Sequence, residues 1–230
     1  MLGVTLGGYH SKEDLGLILQ TVNMPLPLPK TAMVEVPGAD GALDLTETFG
    51  YVKLQSRLIT MTFTDMALYN HRYGNQGYIS DLLHGKKVQI IFDEDPNYFY
   101  YGRLTIGEFL PTGATRTVTI TADCNPYKYE LWMSDEPWLW DPFNFETGVI
   151  REYTGITVNG TETVTVAGGQ QNTIPTIITS AAMTVTFNGN TYNLSAGENK
   201  LYDIVLVAGN NTLTFTGTGT VAISFRGTTL

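Results

Sequence analysis

The feature that most constrains this chain is a two-residue alternation of threonine with apolar side chains. It runs through Ser56-Arg57-Leu58-Ile59-Thr60-Met61-Thr62-Phe63 and again through Thr115-Arg116-Thr117-Val118-Thr119-Ile120-Thr121. β-Branched residues are stiff at χ1 and fit a pleated surface, and period two sends every second side chain to one face. Both segments therefore read as half-buried strands. Residues 87–92 and 98–104 flank Asp93-Glu94-Asp95-Pro96-Asn97, a run whose fixed proline φ and local Asp/Asn hydrogen bonds favour a turn. Together they predict a hairpin. One helix is expected, with Asp65 as N-cap, Leu68, Tyr78, Ile79, Leu82 and Leu83 along it, and Gly85, Lys86 and Lys87 at its end. Gly74 and Gly77 weaken its first half by ~1 kcal/mol each relative to alanine.

Charge divides the chain in two. Of its twenty-two acids, only Glu152, Glu162, Glu198 and Asp203 lie beyond residue 150, in a Thr/Asn/Gly-rich background. Pro137-Trp138-Leu139-Trp140-Asp141-Pro142-Phe143-Asn144-Phe145 precedes that shift, and its prolines oppose both helix and central strand. The reading is an N-terminal β domain over 1–131, an aromatic connector over 132–150 and a C-terminal β domain over 151–230. In the last, Asn159-Gly160 and Asn188-Gly189 suit type I′ turns, whereas Gly168-Gly169 and Gly209-Asn210-Asn211 punctuate longer connections. The closing strands, 212–216 and 220–225, place Leu213, Phe215, Val221, Ile223 and Phe225 on one side. This half reads as a β-sandwich of jelly-roll or lectin type.

The balance of charge narrows the partners. Thirteen Lys and Arg against twenty-two Asp and Glu give a net charge of −9, and no basic cluster exceeds the pair Lys86 and Lys87. A phosphate backbone needs more than that, so no specific nucleic-acid binding is expected. The one cysteine, Cys124, cannot form an internal disulfide and reads as a small buried apolar residue. Lys12, Glu13 and Asp14 interrupt the first apolar stretch, and no apolar run approaches the ~20 residues of a bilayer span. Synthesis in the cytoplasm without a membrane stage is expected.

Catalytic machinery is not legible. Asp93, Asp95 and Asn97 match the start of a calcium loop, but Tyr98 stands where the sharp turn needs glycine and Leu104 where a bidentate glutamate should close the shell. Gly217-Thr218-Gly219 mimics a dinucleotide fingerprint, yet a strand pattern follows where a helix is required. His10, His71 and His84 are scattered. No catalytic residue, cofactor or metal is therefore assigned, and the chain is read as no enzyme. Trp132, Trp138 and Trp140 read as hydrophobic anchors of a domain or subunit contact, with sugar stacking as the other reading. Tyr98, Phe99, Tyr100 and Tyr101 cannot share one strand face, so two are expected to point outward and at least one to meet another subunit or domain. Tyr202 with Glu198, and Asp203 beside them, is the best conceivable sugar site in the C-terminal half.

A set of ordered segments resembles the distal tail proteins of long-tailed phages and prophages. They are Tyr9-His10-Ser11-Lys12-Glu13-Asp14-Leu15-Gly16-Leu17, Pro37-Gly38-Ala39-Asp40-Gly41-Ala42-Leu43-Asp44-Leu45-Thr46, Leu82-Leu83-His84-Gly85-Lys86-Lys87 and the Phe92-Asp93-Glu94-Asp95 turn. Tyr100-Tyr101-Gly102-Arg103, Asn125-Pro126-Tyr127-Lys128, Glu136-Pro137-Trp138-Leu139-Trp140 and the Gly209-Asn210-Asn211 turn follow in order. The resemblance implies a mainly β fold: an N-terminal β-sandwich with one α-helix and a hairpin arm, and a C-terminal galectin-like or jelly-roll β-sandwich. It also implies a virion structural protein at the tail tip. Six copies would close a baseplate-hub ring around the genome exit channel, joining the tail tube protein to a tail-associated lysin or a tail fibre or receptor-binding protein. A free-standing carbohydrate-binding lectin or receptor-binding protein is the alternative, and a glycosidase the least supported.

Overall fold

A computed structural model describes residues 3–48, 50–66, 71–136 and 150–230. They form two compact units: residues 1–95 with 100–126, and residues 96–99 with 127–230. The mainly β architecture expected from the threonine alternation is what forms.

In the first unit, β1 (Val4–Leu6), β2 (Tyr9–His10) and β3 (Leu17–Asn23) precede β4 (Met33–Glu35), β5 (Ala42–Asp44) and β6 (Arg57–Asp65). Helix α1 (Arg72–Leu83) follows, then β7 (Lys87–Phe92), β8 (Tyr98–Thr112), whose first two residues belong to the second unit, and β9 (Thr115–Cys124). The sheet order is β2-β1-β7-β8-β9-β6-β3, with every pair antiparallel. Ile59, Met61 and Phe63 of β6 and Val118, Ile120 and Ala122 of β9 are buried in one core with Ile79 and Leu83 of α1. The alternating threonines fall on the opposite face, in register as Thr60↔Thr121, Thr62↔Thr119 and Thr64↔Thr117. The hairpin expected around residues 93–97 is present, with Ile90 opposite Tyr100 and Lys87 opposite Arg103.

The helix differs from its reading at the N-terminus. Asp65 is the last residue of β6, and its carboxylate accepts from Arg116 Nε at 3.0 Å and Nη2 at 2.5 Å instead of capping α1. A buried charge needs a countercharge more than a helix end needs a cap. Asn75 Nδ2 donates to the other Asp65 oxygen at 3.1 Å, and Arg116 Nη1 donates to Gln76 Oε1 at 3.2 Å, so the pair fastens α1 to the sheet. Leu68 lies outside the described residues, and Tyr78 is exposed.

The second unit contains β10 (Lys128–Glu130), β11 (Ile156–Gly168), β12 (Thr176–Thr179), β13 (Met183–Phe187), β14 (Asn190–Leu194), β15 (Gly197–Lys200), β16 (Gly209–Ser224) and β17 (Thr228–Thr229). Its main sheet runs β14-β13-β16-β12-β15, with β11 along the other side of β16. Asn188 and Gly189 both take positive φ, 49° and 80°, and turn β13 into β14 as a type I′ hairpin requires. Asn159-Gly160 does not turn. Val158, Val164 and Val166 keep one parity across it, and the whole segment pairs with β16, Gly160 opposite Gly217. The two closing strands read from sequence likewise merge into β16, which pairs with β13 over 213–216 and with β12 over 221–224. Val158, Val166, Ile177, Val185, Leu213, Phe215 and Ile223 make the core of this unit.

Candidate assembly interface

β3 and β6 are paired neighbours, with Asn23 opposite Thr60, yet residues 24–56 lie between them in the chain. None of the described residues in that excursion is buried. It is nonetheless a built structure: Gln55 N donates to Leu28 O at 2.8 Å, Lys30 N to Lys53 O at 2.7 Å and Leu45 N to Ala32 O at 2.8 Å. Above these rungs β4 and β5 pair, Met33 opposite Asp44, Val34 opposite Leu43 and Glu35 opposite Ala42. The result is a two-limbed ribbon leaving the sheet between β3 and β6.

Its two faces differ in chemistry. Val34 and Leu43 share one face, continued at the same parity by Val36 and Leu45, and these four are 44%, 53%, 43% and 39% exposed. Met33, Glu35, Ala42 and Asp44 form the other face, with Asp40 at the tip. A two-stranded ribbon is marginal in water by itself, because it has no third strand or helix to bury its apolar side. Clustered apolar side chains of this kind mark a contact surface. Excursions longer than about 12–15 residues in compact domains are usually functional.

The root is fixed from the core. Arg57 is buried, and its Nε and Nη2 both donate to Pro25 O, at 3.1 and 2.8 Å, while its guanidinium lies 5.2 Å from the Tyr100 ring. Burial pushes the Tyr100 phenol up, against the opposing pull of Arg57. Met24 packs against the first core.

The aromatic run reads differently in space than in sequence. Tyr98, Phe99 and Tyr100 are all buried, at 8%, 6% and 7% exposure, and Tyr101 alone is exposed, at 37%. The expectation that two of the four point outward fails because both sides of the strand's start are covered. β10 pairs with it, Tyr129 opposite Phe99 and Glu130 opposite Tyr98. Phe99 stacks on Tyr129 at 5.5 Å with the Arg226 guanidinium 5.2 Å from its ring, and Lys128 Nζ lies 4.3 Å from the Tyr98 ring. Tyr100 meets Phe92 edge-on in the first core. Tyr101 carries Lys87 Nζ 4.8 Å from its ring, and Lys87 and Arg103, opposite each other in register, are exposed on the same strand face.

The remaining sequence candidates are dispersed. Trp138 and Trp140 lie outside the described residues, whereas Trp132 is 46% exposed. Glu198 sits on β15 opposite Ile178, and Tyr202 is 74% exposed beyond that strand. Among the described residues no hydrogen bond joins them. The acidic turn serves the backbone: Asp93 Oδ2 accepts from Gly3 N at 2.6 Å and lies 3.3 Å from His10 Nε2. His84 Nδ1 accepts from Ile106 N at 3.1 Å. No group of three or more metal-ligating side chains occurs among the described residues.

The residues that sequence reasoning missed are those of the ribbon. Pro37–Thr46 was legible only as a glycine-rich turn before a strand. The clue was the length between Asn23 and Arg57 combined with apolar residues in no core-forming periodicity.

Two mainly β units, the first carrying an extended ribbon, define the fold. The chain is similar, over 100% of its length and 100% of the other chain, to the crystal structure of the Dit (gp 19.1) protein of SPP1. That structure is described as a paradigm of the hub adsorption apparatus in phages infecting Gram-positive bacteria; the TM-score is 0.62 at 17% identity. This is a likeness of fold. No family model and no curated protein matches the chain.

Proposed function

We propose that this chain is a structural distal tail protein, the ring subunit of a phage tail-tip hub. The observation that carries the reading is the end-to-end fold likeness to the SPP1 hub protein, covering both units. The ribbon supports it, because a subunit that works by closing interfaces needs an ordered apolar surface outside its own core.

Six copies close the ring through the first unit. The ribbon of one copy seats on the next, burying Val34, Val36, Leu43 and Leu45, and its acidic face with Glu35, Asp40 and Asp44 complements the exposed Lys87 and Arg103 on the strand face of Tyr101. Because the two patches differ, the contact is heterologous, and a heterologous contact with the right rotation closes into a ring. The ring surrounds the genome exit channel and joins the tail tube to a tail-associated lysin or a receptor-binding protein. The second unit is a docking or spacing module. No step of chemistry is required of either unit.

Negative-stain imaging of the purified chain tests this. Rings of uniform diameter with a central channel are expected, alone or after addition of tail tube protein. Single particles under both conditions would refute it.

A further inference from the structure

Among the described residues, the longest unpaired sheet edge of the second unit belongs to β11. One side of this strand pairs with β16 residue for residue, from Ile156↔Val221 to Gly168↔Gly209, without a bulge. Antiparallel strands turn their N–H and C=O groups alternately toward and away from a given neighbour. The parity is fixed at the far end of the strand. Val166 O accepts from Asn211 Nδ2 of β16 at 3.3 Å, whereas Ala167 N donates to Tyr153 Oη and Ala167 O accepts from Arg151 Nε, each at 2.8 Å. Odd residues therefore face away from β16. Among the described residues, no hydrogen bond reaches the backbone of Thr157, Asn159, Thr161, Thr163 or Thr165 on that outer side. Asn159 to Thr163 are all exposed.

Such an edge is a template for another strand unless something guards it. β11 has no proline and no lysine, and its one charged side chain is Glu162. Glu162 lies opposite Phe215, on the face whose other members, Val158, Val164 and Val166, turn toward the core. A residue on an added strand directly opposite Glu162 would form a non-hydrogen-bonded pair, the closer of the two kinds, with Cα atoms about 4.5 Å apart. Whatever docks must therefore answer that carboxylate. A second copy answers it badly. Pairing β11 with itself about Thr161 brings the two Glu162 side chains within diagonal reach, and pairing about Glu162 sets them face to face.

We propose that the outer edge of β11 is a docking site for an extended strand of a different protein, one that places Lys or Arg opposite Glu162. The five free N–H and C=O sets supply the ladder, as in other strand-addition complexes. Glu162 supplies selectivity by admitting a cation and rejecting a copy of itself. This goes beyond the ring, which is assigned to the first unit, and stands without it.

The test uses the full chain and two end-blocked synthetic peptides, Thr-Val-Thr-Lys-Thr-Val-Thr and its twin with Glu in place of Lys. The lysine peptide, seven residues centred on Glu162, is expected to bind saturably and to slow amide exchange at Asn159, Thr161, Thr163 and Thr165. The glutamate peptide is expected to bind about fivefold or more weakly. Glu162→Gln should bring the two affinities together, and Thr161→Pro, which removes a central outward N–H, should abolish both without changing the exchange of the first unit. Equal affinity for the two peptides in the unmutated chain, or binding that leaves those four amides unprotected, would overturn the proposal. So would protection that rises with protein concentration in the absence of peptide, because the occupant would then be a second copy. Ring images have no bearing on these outcomes.

Discussion

Arg57 holds Pro25 from inside the core. Two donors of one buried guanidinium converge on a single carbonyl oxygen, at 3.1 and 2.8 Å, where the chain leaves β3 for the exposed ribbon. Arg57 Nη1 is buried without a hydrogen-bond partner among the described residues, a cost that the two bonds and the contact with Tyr100 offset. Arg57→Met is expected to lower the stability of the first unit by about 1.5–3 kcal/mol, the range for hydrogen bonds to a charged donor. Amide exchange over 24–32 should rise with it. Unchanged exchange there would mean that the ribbon is rooted some other way.

The Asp65–Arg116 pair is the more stringent energetic case. Both side chains are buried, at 0% and 6% exposure, and α1 is tied to them through Asn75 and Gln76. Arg116→Met strands the Asp65 carboxylate away from water and should cost about 3–5 kcal/mol in urea unfolding. Asp65→Leu combined with Arg116→Met removes both charges and should cost markedly less. If the double change cost as much as the single one, the loss would be one of packing and not of an unpaired charge.

Cys124 should be inert while the protein is folded. Burial, with the neighbouring Asp123 adding to it, pushes the thiol up to about 12, so almost no thiolate exists near neutral pH. Gly102 is directly opposite in β8, where a Cβ would run into the Cys124 sulfur. Iodoacetamide is expected to label the unfolded chain readily and the native chain only as fast as it opens. Gly102→Ala should speed native labelling by displacing the sulfur. Rapid labelling of the unmutated native chain would contradict the burial.

Much of this architecture is legible in the sequence. Thr60, Thr62, Thr117, Thr119 and the apolar residues between them declare β6 and β9, because period two has no helical counterpart. The turn at 93–97 and the Asn188-Gly189 hairpin followed from residues that tolerate those backbone angles. The misreadings share a cause. Asp65, Asn159-Gly160 and Tyr98 to Tyr100 each carry a local preference that a distant partner overrides: Arg116, β16 and β10 respectively. No local rule contains that partner. The ribbon escaped for the opposite reason, since its side chains answer to no core of this chain.

Glu130 gives the second unit a pH signature. Burial raises its pKa, and the pull of Arg151, with which it is ion-paired, and of Arg226 opposes but does not cancel that rise. The folded state therefore holds this proton more tightly than the unfolded chain. The contribution to stability is full below the ordinary glutamate value and is lost as pH rises through the raised one. Thermal unfolding of the native protein and of Glu130→Gln between about pH 4 and about pH 7 should reveal it. The advantage of the native protein is expected to shrink as pH rises; a growing advantage would mean that the Arg151 pair outweighs burial.

The central claim is that the exposed ribbon closes a ring, and mass in solution tests it most directly. Sedimentation velocity, alone and with tail tube protein added, should give a six-copy species of the unmutated chain in at least one condition and none for Val34→Asp combined with Leu43→Asp, with identical circular dichroism because neither residue belongs to a core. An unmutated chain that stays monomeric under both conditions, or a ring that survives both substitutions, would contradict the account.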